Sequence, residues 1–214
     1  MIRNLKVLGL SLVALVAMSA IAASAAQATS GLDFTEGTSI LTAQQTTTLK
    51  FKLTASGLTV QCTTADLQGT IPAAKVQEAT VTPKYSGCTL GGTAANVDVN
   101  GCQYQITGAG EPAFTAQADI VNCETGKKLT ITQGTCEITV KEQGPLSHIV
   151  FSNPTGQDVK ANVTVTGIHY EGDTGCGTNV VGTHTDGDLT GETTVEAFKD
   201  EGGNKGVQIG VQAT

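Results

Sequence analysis

Alternation of apolar and polar residues with a period of two constrains this chain more than any other feature of its sequence. Between Leu49 and Leu53, three apolar residues alternate with two lysines, which gives a strand one apolar and one charged face. The same period recurs from Thr46 to the C-terminus. The spacing of three and four residues that is typical of amphipathic helices is missing after the first 28 residues. The sequence therefore predicts an all-β protein.

Further strands are predicted wherever alternating runs lie between clusters of turn residues. Within 159–170 the apolar residues change parity at Gly167, which predicts a β-bulge. So many short strands favour an antiparallel β-sandwich of immunoglobulin-like or Greek-key (jelly-roll) type, with a barrel as the main alternative. The other predicted strands are 58–62, 79–85, 103–107, 115–122, 128–132, 136–140, 148–152, 188–198 and 207–211.

The N-terminus has the three parts of a secretory signal peptide. Arg3 and Lys6 precede an apolar run, and small residues then lead to Ala28, after which cleavage is expected. An uncleaved membrane anchor is the alternative reading of this segment. We therefore expect a signal peptide over 1–28, a single β-sandwich domain over 29–214, and no membrane insertion after cleavage. Two smaller domains divided at 108–112 are the alternative domain organisation.

Six cysteines lie in the predicted mature part, and an even number in an exported chain favours three disulfides. A zinc site is not expected, because no pair of cysteines has zinc-ligand spacing. Sequence alone leaves the pairing open. The favoured pairs are Cys88–Cys102 and Cys123–Cys136, each flanking a glycine-containing turn, which leaves Cys62 to pair with Cys176 in a third, long-range bridge. The cysteines are Cys62, Cys88, Cys102, Cys123, Cys136 and Cys176.

The predicted mature chain is acidic. Two of the chain's 12 lysines and arginines lie in the signal peptide, whereas all 19 acidic residues lie after it, so the net charge is about −9. The electrostatic field of a chain with this negative charge repels nucleic acid and anionic lipid surfaces. The partner expected for an exported protein of this kind is an extracellular protein or a cell-wall glycan, and nothing in the sequence indicates a cofactor.

No catalytic motif is found among the nucleophiles and histidines. The strained turn that carries a serine nucleophile is missing, and bridged cysteines cannot act as nucleophiles. His148, His169 and His184 lie in alternating segments, where solvent-facing or edge positions are expected. The carboxylates of a glycosidase cannot be chosen from sequence. We therefore predict no catalytic site.

One acidic cluster is a weak candidate for calcium. Glu171, Asp173, Asp186 and Asp188 offer hard oxygen ligands on two neighbouring loops, with Asn179 and Glu192 nearby. The twelve-residue calcium-loop pattern is missing, and Asp-Gly is also a common hairpin turn. The alternative reading is a solvated turn, and metal binding is not predicted.

Several short motifs of cysteine, glycine and strand residues are spread over nearly the whole predicted mature chain. They lie at 60–62, 85–88, 100–104, 121–123, 136–140 and 187–191, together with Gln143. In these segments the chain resembles a group of secreted bacterial β proteins that have Ala-rich signal peptides and no assigned activity. The resemblance implies export and a disulfide-stapled β fold, and it implies no activity.

These features lead to three hypotheses for function. The first is a secreted or cell-surface, non-enzymatic β protein with an interaction or structural role. The second is a carbohydrate-binding module, in which Tyr85, Tyr104 and Tyr170 would line one face. The third is a secreted hydrolase with an acid- or histidine-based site.

Overall fold

The computed structural model describes residues 31–34, 39–73, 75–108, 114–152, 155–156, 158–199, 205–207 and 209–212. The predicted signal peptide, 1–28, lies outside them. Seventeen strands form the described part, so the all-β antiparallel prediction is confirmed. They are β1 (Gly31–Phe34), β2 (Ser39–Leu53), β3 (Leu58–Ile71), β4 (Lys75–Val76), β5 (Glu78–Leu90), β6 (Thr93–Ala94), β7 (Asn96–Asp98), β8 (Gln103–Gly108), β9 (Thr115–Val121), β10 (Leu129–Gln133), β11 (Cys136–Val140), β12 (Gln143–Ser152), β13 (Thr155–Gly156), β14 (Val159–Gly172), β15 (Gly182–Phe198), β16 (Lys205–Val207) and β17 (Ile209–Gln212).

Eight of these strands close into an antiparallel barrel. In chain order β2, β3, β5, β8, β9, β12, β14 and β15 each pair with the next, and β15 pairs back onto β2. The predicted two-sheet sandwich is therefore not what the structure shows. Alternation predicts one buried face for each strand, and both a sandwich and a barrel satisfy that requirement. The long ladder between β14 and β15, from Val159 opposite Val195 to Glu171 opposite Thr183, joins the sheet into one circuit.

The two ends of the barrel carry different additions. At the end where β2 stops at Leu53 and β3 starts at Leu58, a three-stranded extension of β11, β10 and β7 continues from β14. We call this end the stapled end, because the disulfides lie here. At the opposite end, β1, β4, β13 and β17 form a separate four-stranded sheet. Of these strands, β4 and β13 lie in connections between barrel strands, whereas β1 precedes β2 and β17 follows β15 in the chain.

The β-bulge predicted at Gly167 is confirmed. The register of β14 against β15 shifts between Val165 and Ile168, and Gly167 has a φ of 76°. That backbone conformation strains any residue with a Cβ, so a glycine is suited to this position. The bulge lets Val165 and Ile168, which have opposite parity, both remain buried.

All six cysteines are bridged, as predicted, but each predicted pair is wrong. The observed bridges are Cys62–Cys88, Cys102–Cys123 and Cys136–Cys176. The expected bridges were Cys88–Cys102, Cys123–Cys136 and Cys62–Cys176. Cys62 lies directly opposite Cys88 on neighbouring strands β3 and β5. Two bridges therefore join neighbouring barrel strands, β3 with β5 and the ends of β8 and β9, and the third ties β11 to the loop between β14 and β15.

The boundary of the alternative two-domain organisation, at 108–112, falls mainly on residues outside the described part. On either side of it, β8 and β9 are hydrogen-bonded neighbours, with Gly108 opposite Ala116.

No helix in the described part of the chain is long and apolar enough to cross a membrane.

Candidate functional site

The interior of the barrel holds an apolar cavity of about 190 Å³. All eight barrel strands contribute side chains to its wall, and β7, β10 and β11 add Val97, Leu129, Ile131 and Val140 from the stapled end. The number of strands sets the width of a closed barrel. Eight strands leave an interior that side chains fill or that holds one small ligand. We call this cavity the lumen.

Small side chains at inward positions explain why the lumen is not filled. The residues lining it include Ala43, Ala79, Ala118 and Ala161, and the chain has no tryptophan. Ala118 lies between Ile106 on β8 and Leu146 on β12, its cross-strand neighbours. An alanine at such positions leaves space that a larger residue would occupy, so room remains between the walls of the barrel.

Two tyrosines bring a polar group into this apolar space. Tyr85 on β5 and Tyr104 on β8 both line the lumen, and their hydroxyl oxygens are 2.7 Å apart. The two strands are neighbours, with Val81 opposite Tyr104. Thr193 on β15 is the third hydroxyl-bearing residue in the lumen wall. Among the described residues lining the lumen, none carries a charge.

Burial keeps both hydroxyls of this pair neutral. Desolvation raises the pKa of Tyr85 well above its ordinary value, and Tyr104 adds to the rise. Desolvation also raises the pKa of Tyr104, although its hydrogen bond with Tyr85 partly offsets that effect. Tyrosinate is therefore disfavoured in the lumen, and the pair offers hydrogen bonds without charge.

Tyr170 belongs to a second cluster near the stapled end. It is 2% exposed, stacks on the His184 ring with centroids 4.8 Å apart, and meets Phe51 edge-on. Desolvation, with the neighbouring Asp186 carboxylate, raises the pKa of Tyr170 to about 12. The three tyrosines therefore do not share one face, since Tyr170 is buried in this second cluster whereas Tyr85 and Tyr104 are half-buried in the lumen wall.

The other two histidines lie on the surface, as expected. The side chains of His148 and His169 are exposed, and the backbone of His169 is held on both sides by the Gln143 amide, at 2.8 and 2.9 Å. His184 differs from the prediction, because its Nε2 lies 3.1 Å from the Val180 carbonyl and its ring packs on Tyr170. No pattern in the sequence indicates that stacking.

Three of the four carboxylates of the calcium candidate have separate protein partners, and the fourth, Asp186, lies beside the Tyr170 hydroxyl. Glu171 lies within 3.5 Å of Lys128 and 3.8 Å of Lys141. Asp173 accepts hydrogen bonds from the backbone amides of Glu137 and Gly175, and Asp188 accepts one from Thr54.

A different group has ligand-like proximity within the described residues. Asp173 lies close to Cys136 and Cys176, but those two sulfurs are tied in a disulfide and offer no thiolate to a metal. The structure therefore adds no support to a metal site at this end of the barrel.

Comparison of the chain with protein-family models, with curated proteins and with solved structures finds no match.

The three tyrosines should resist ionisation in the native protein. A raised folded-state pKa means that the tyrosines contribute fully to stability below about pH 10 and lose that contribution as pH rises through the folded value. We expect the native absorbance at 295 nm to stay flat at pH 10 to 11, where the chain unfolded in guanidinium titrates. A native midpoint near pH 10 would contradict the burial of the tyrosine hydroxyls.

Proposed function

We propose that this chain is an exported, non-enzymatic binding protein whose barrel lumen holds a small, uncharged, mainly apolar molecule. One observation carries the proposal: an apolar cavity of about 190 Å³ lies inside a closed barrel and is lined from every barrel strand. An apolar ligand gains free energy by leaving water for such a space, at about 25 cal/mol for each Å² buried. This is a specific form of the interaction role predicted from sequence.

Export is supported by the chemistry of the cysteines and by the N-terminal sequence. Three disulfides are stable in an oxidising compartment, and residues 1–28 have the pattern of a secretory signal. The resemblance to secreted bacterial β proteins points the same way. The protein would meet its ligand outside the cytoplasm, either free or at the cell surface.

The composition of the lumen supports a binding role rather than catalysis. Its hydroxyl-bearing residues are Tyr85, Tyr104 and Thr193, and within the described lining no carboxylate or imidazole stands beside them. General acid–base chemistry needs a group that exchanges protons near the working pH. The raised pKa values of the two tyrosines move them away from that range.

A lumen-filling substitution tests the proposal. Benzene is a suitable probe, since apolar cavities of about 150 Å³ bind it. We expect saturating benzene to raise the thermal unfolding midpoint of the wild-type protein. In Ala118→Leu the larger side chain occupies part of the lumen, and we expect at least tenfold weaker benzene binding.

Gln117→Leu supplies the matched control, because Gln117 is the neighbouring β9 residue and does not line the lumen. It should retain wild-type benzene affinity. Equal affinity in both variants would place the probe outside the lumen and refute the proposal, and so would a wild-type protein that benzene does not stabilise.

A further inference from the structure

The Tyr85–Tyr104 pair in the lumen has one O–H donor more than the hydrogen bond between the two hydroxyls needs. Tyr85 and Tyr104 each carry one O–H donor, and their oxygens are 2.7 Å apart. One O–H can donate to the other oxygen, and the second O–H then needs a different acceptor. Among the described residues neither hydroxyl has another hydrogen-bond partner. Apart from Thr193 the wall around the pair is apolar, and no described residue accepts the hydrogen bond of this second donor.

An unused donor in an apolar cavity selects for a ligand oxygen. Leaving a buried hydroxyl without a partner is unfavourable, whereas a ligand that accepts its hydrogen bond removes that cost. The same asymmetry makes a binding site reject an analogue that lacks the accepting group. The Tyr85–Tyr104 pair is therefore suited to recognise one oxygen atom on an otherwise apolar molecule.

The lumen also restricts the charge and the size of its ligand. With no cation in the described lining, a carboxylate would enter without a counter-charge, and burying an isolated charge is strongly unfavourable. Ammonium compounds are disfavoured likewise, since no described residue contributes a carboxylate to the lumen wall. By comparison with a cavity of about 150 Å³ that holds benzene, a ligand of about six to ten non-hydrogen atoms fits.

From this geometry we infer that the lumen ligand is a small neutral ketone, aldehyde, ester or alcohol, whose oxygen accepts a hydrogen bond from the Tyr85–Tyr104 pair. The inference rests on the proposed function and adds the chemical class of the ligand. Tyr85 and Tyr104 are then the residues that determine specificity, and the aliphatic wall supplies most of the affinity.

The test compares two probes of similar size and shape. Methylcyclohexane and cyclohexanone have the same number of non-hydrogen atoms, but only cyclohexanone accepts a hydrogen bond. Affinities are measured by NMR titration in sealed tubes at pH 7, for the wild-type protein and for Tyr85→Phe/Tyr104→Phe. We expect the double variant to bind cyclohexanone about tenfold more weakly and to bind methylcyclohexane at least as well as wild type.

Further variants separate recognition by the pair from a general effect of substitution. Either single variant, Tyr85→Phe or Tyr104→Phe, leaves one hydroxyl with its O–H available, so each should retain cyclohexanone binding. Tyr170→Phe is the matched control, because Tyr170 is buried but does not line the lumen. It should leave both affinities unchanged. Cyclohexanecarboxylate, as the charged probe, should not bind.

The outcomes distinguish failure of the inference from failure of the proposed function. If the double variant binds both probes with the wild-type ratio of affinities, the tyrosine pair does not recognise the oxygen and the inference is wrong, while the lumen remains a binding site. Binding of cyclohexanecarboxylate as tight as that of cyclohexanone would also overturn the inference. If the wild-type protein binds neither neutral probe, the proposed function fails and the inference fails with it.

Discussion

Replacing Cys136 and Cys176 together by alanine is expected to lower the free energy of unfolding by about 4 kcal/mol. The bridge closes a loop with a sequence separation of 40, the longest of the three, and a cross-link stabilises chiefly by restricting the unfolded chain. Replacing Cys102 and Cys123, whose separation is 21, should cost about 3 kcal/mol and serves as the comparison. Denaturant unfolding of the oxidised proteins measures both losses.

The same variant also tests the disulfide connectivity. With the observed pairing, removal of Cys136 and Cys176 leaves Cys62–Cys88 and Cys102–Cys123 intact, so a thiol titration of the unfolded protein should find no thiol. The pairing expected from sequence would leave two unpaired thiols, on Cys62 and Cys123. Detection of two thiols in this variant would contradict the observed arrangement of the stapled end.

Truncation of Ile138 is expected to be the most destabilising single substitution among those considered. Ile138 lies on β11, has no exposed surface, and packs into the cluster at the stapled end of the lumen. Ile138→Ala removes buried methyl groups and leaves a cavity, which costs about 2 to 5 kcal/mol. The size of this loss tests whether the extension of β11, β10 and β7 covers the stapled end of the barrel.

The neighbouring residue provides the control. Glu137 is exposed on the same strand, so Glu137→Ala should change the free energy of unfolding by no more than about 0.5 kcal/mol. Denaturant unfolding compares the two variants under one set of conditions. A loss below about 1 kcal/mol for Ile138→Ala would mean that β11 does not pack against the barrel as described.

Strand positions could be read from this sequence because alternation is a local property. The parity change at Gly167 located a bulge, and the lysines between Leu49 and Leu53 marked an outward face. The closure of the barrel could not be predicted from the sequence, since the pairing of β15 with β2 joins residues that are far apart in the chain. The disulfide pairs were missed for the same reason, because Cys88 faces Cys62 only once β3 and β5 are known to be neighbours.

Part of the lumen wall could be predicted from the sequence. Tyr85 has the same parity as the buried Val81 in β5, so alternation places it on the inward face. Alanine at inward positions such as 79 and 161 is compatible with either a tightly packed sandwich or a barrel with space inside. Only the closed circuit of eight strands distinguishes the barrel from the sandwich. The contact between Tyr85 and Tyr104 depends in turn on the pairing of β5 with β8.

The most direct measurement of the central claim is a methyl NMR titration of the oxidised protein with benzene. Ile106 and Ile149 line the lumen, whereas Val150, next to Ile149 on β12, is 44% exposed. The account predicts saturable shifts of the Ile106 and Ile149 methyl resonances, with the Val150 methyls unchanged. Unchanged lumen methyl resonances, or shifts confined to exposed methyls such as those of Val150, would contradict a ligand site inside the barrel.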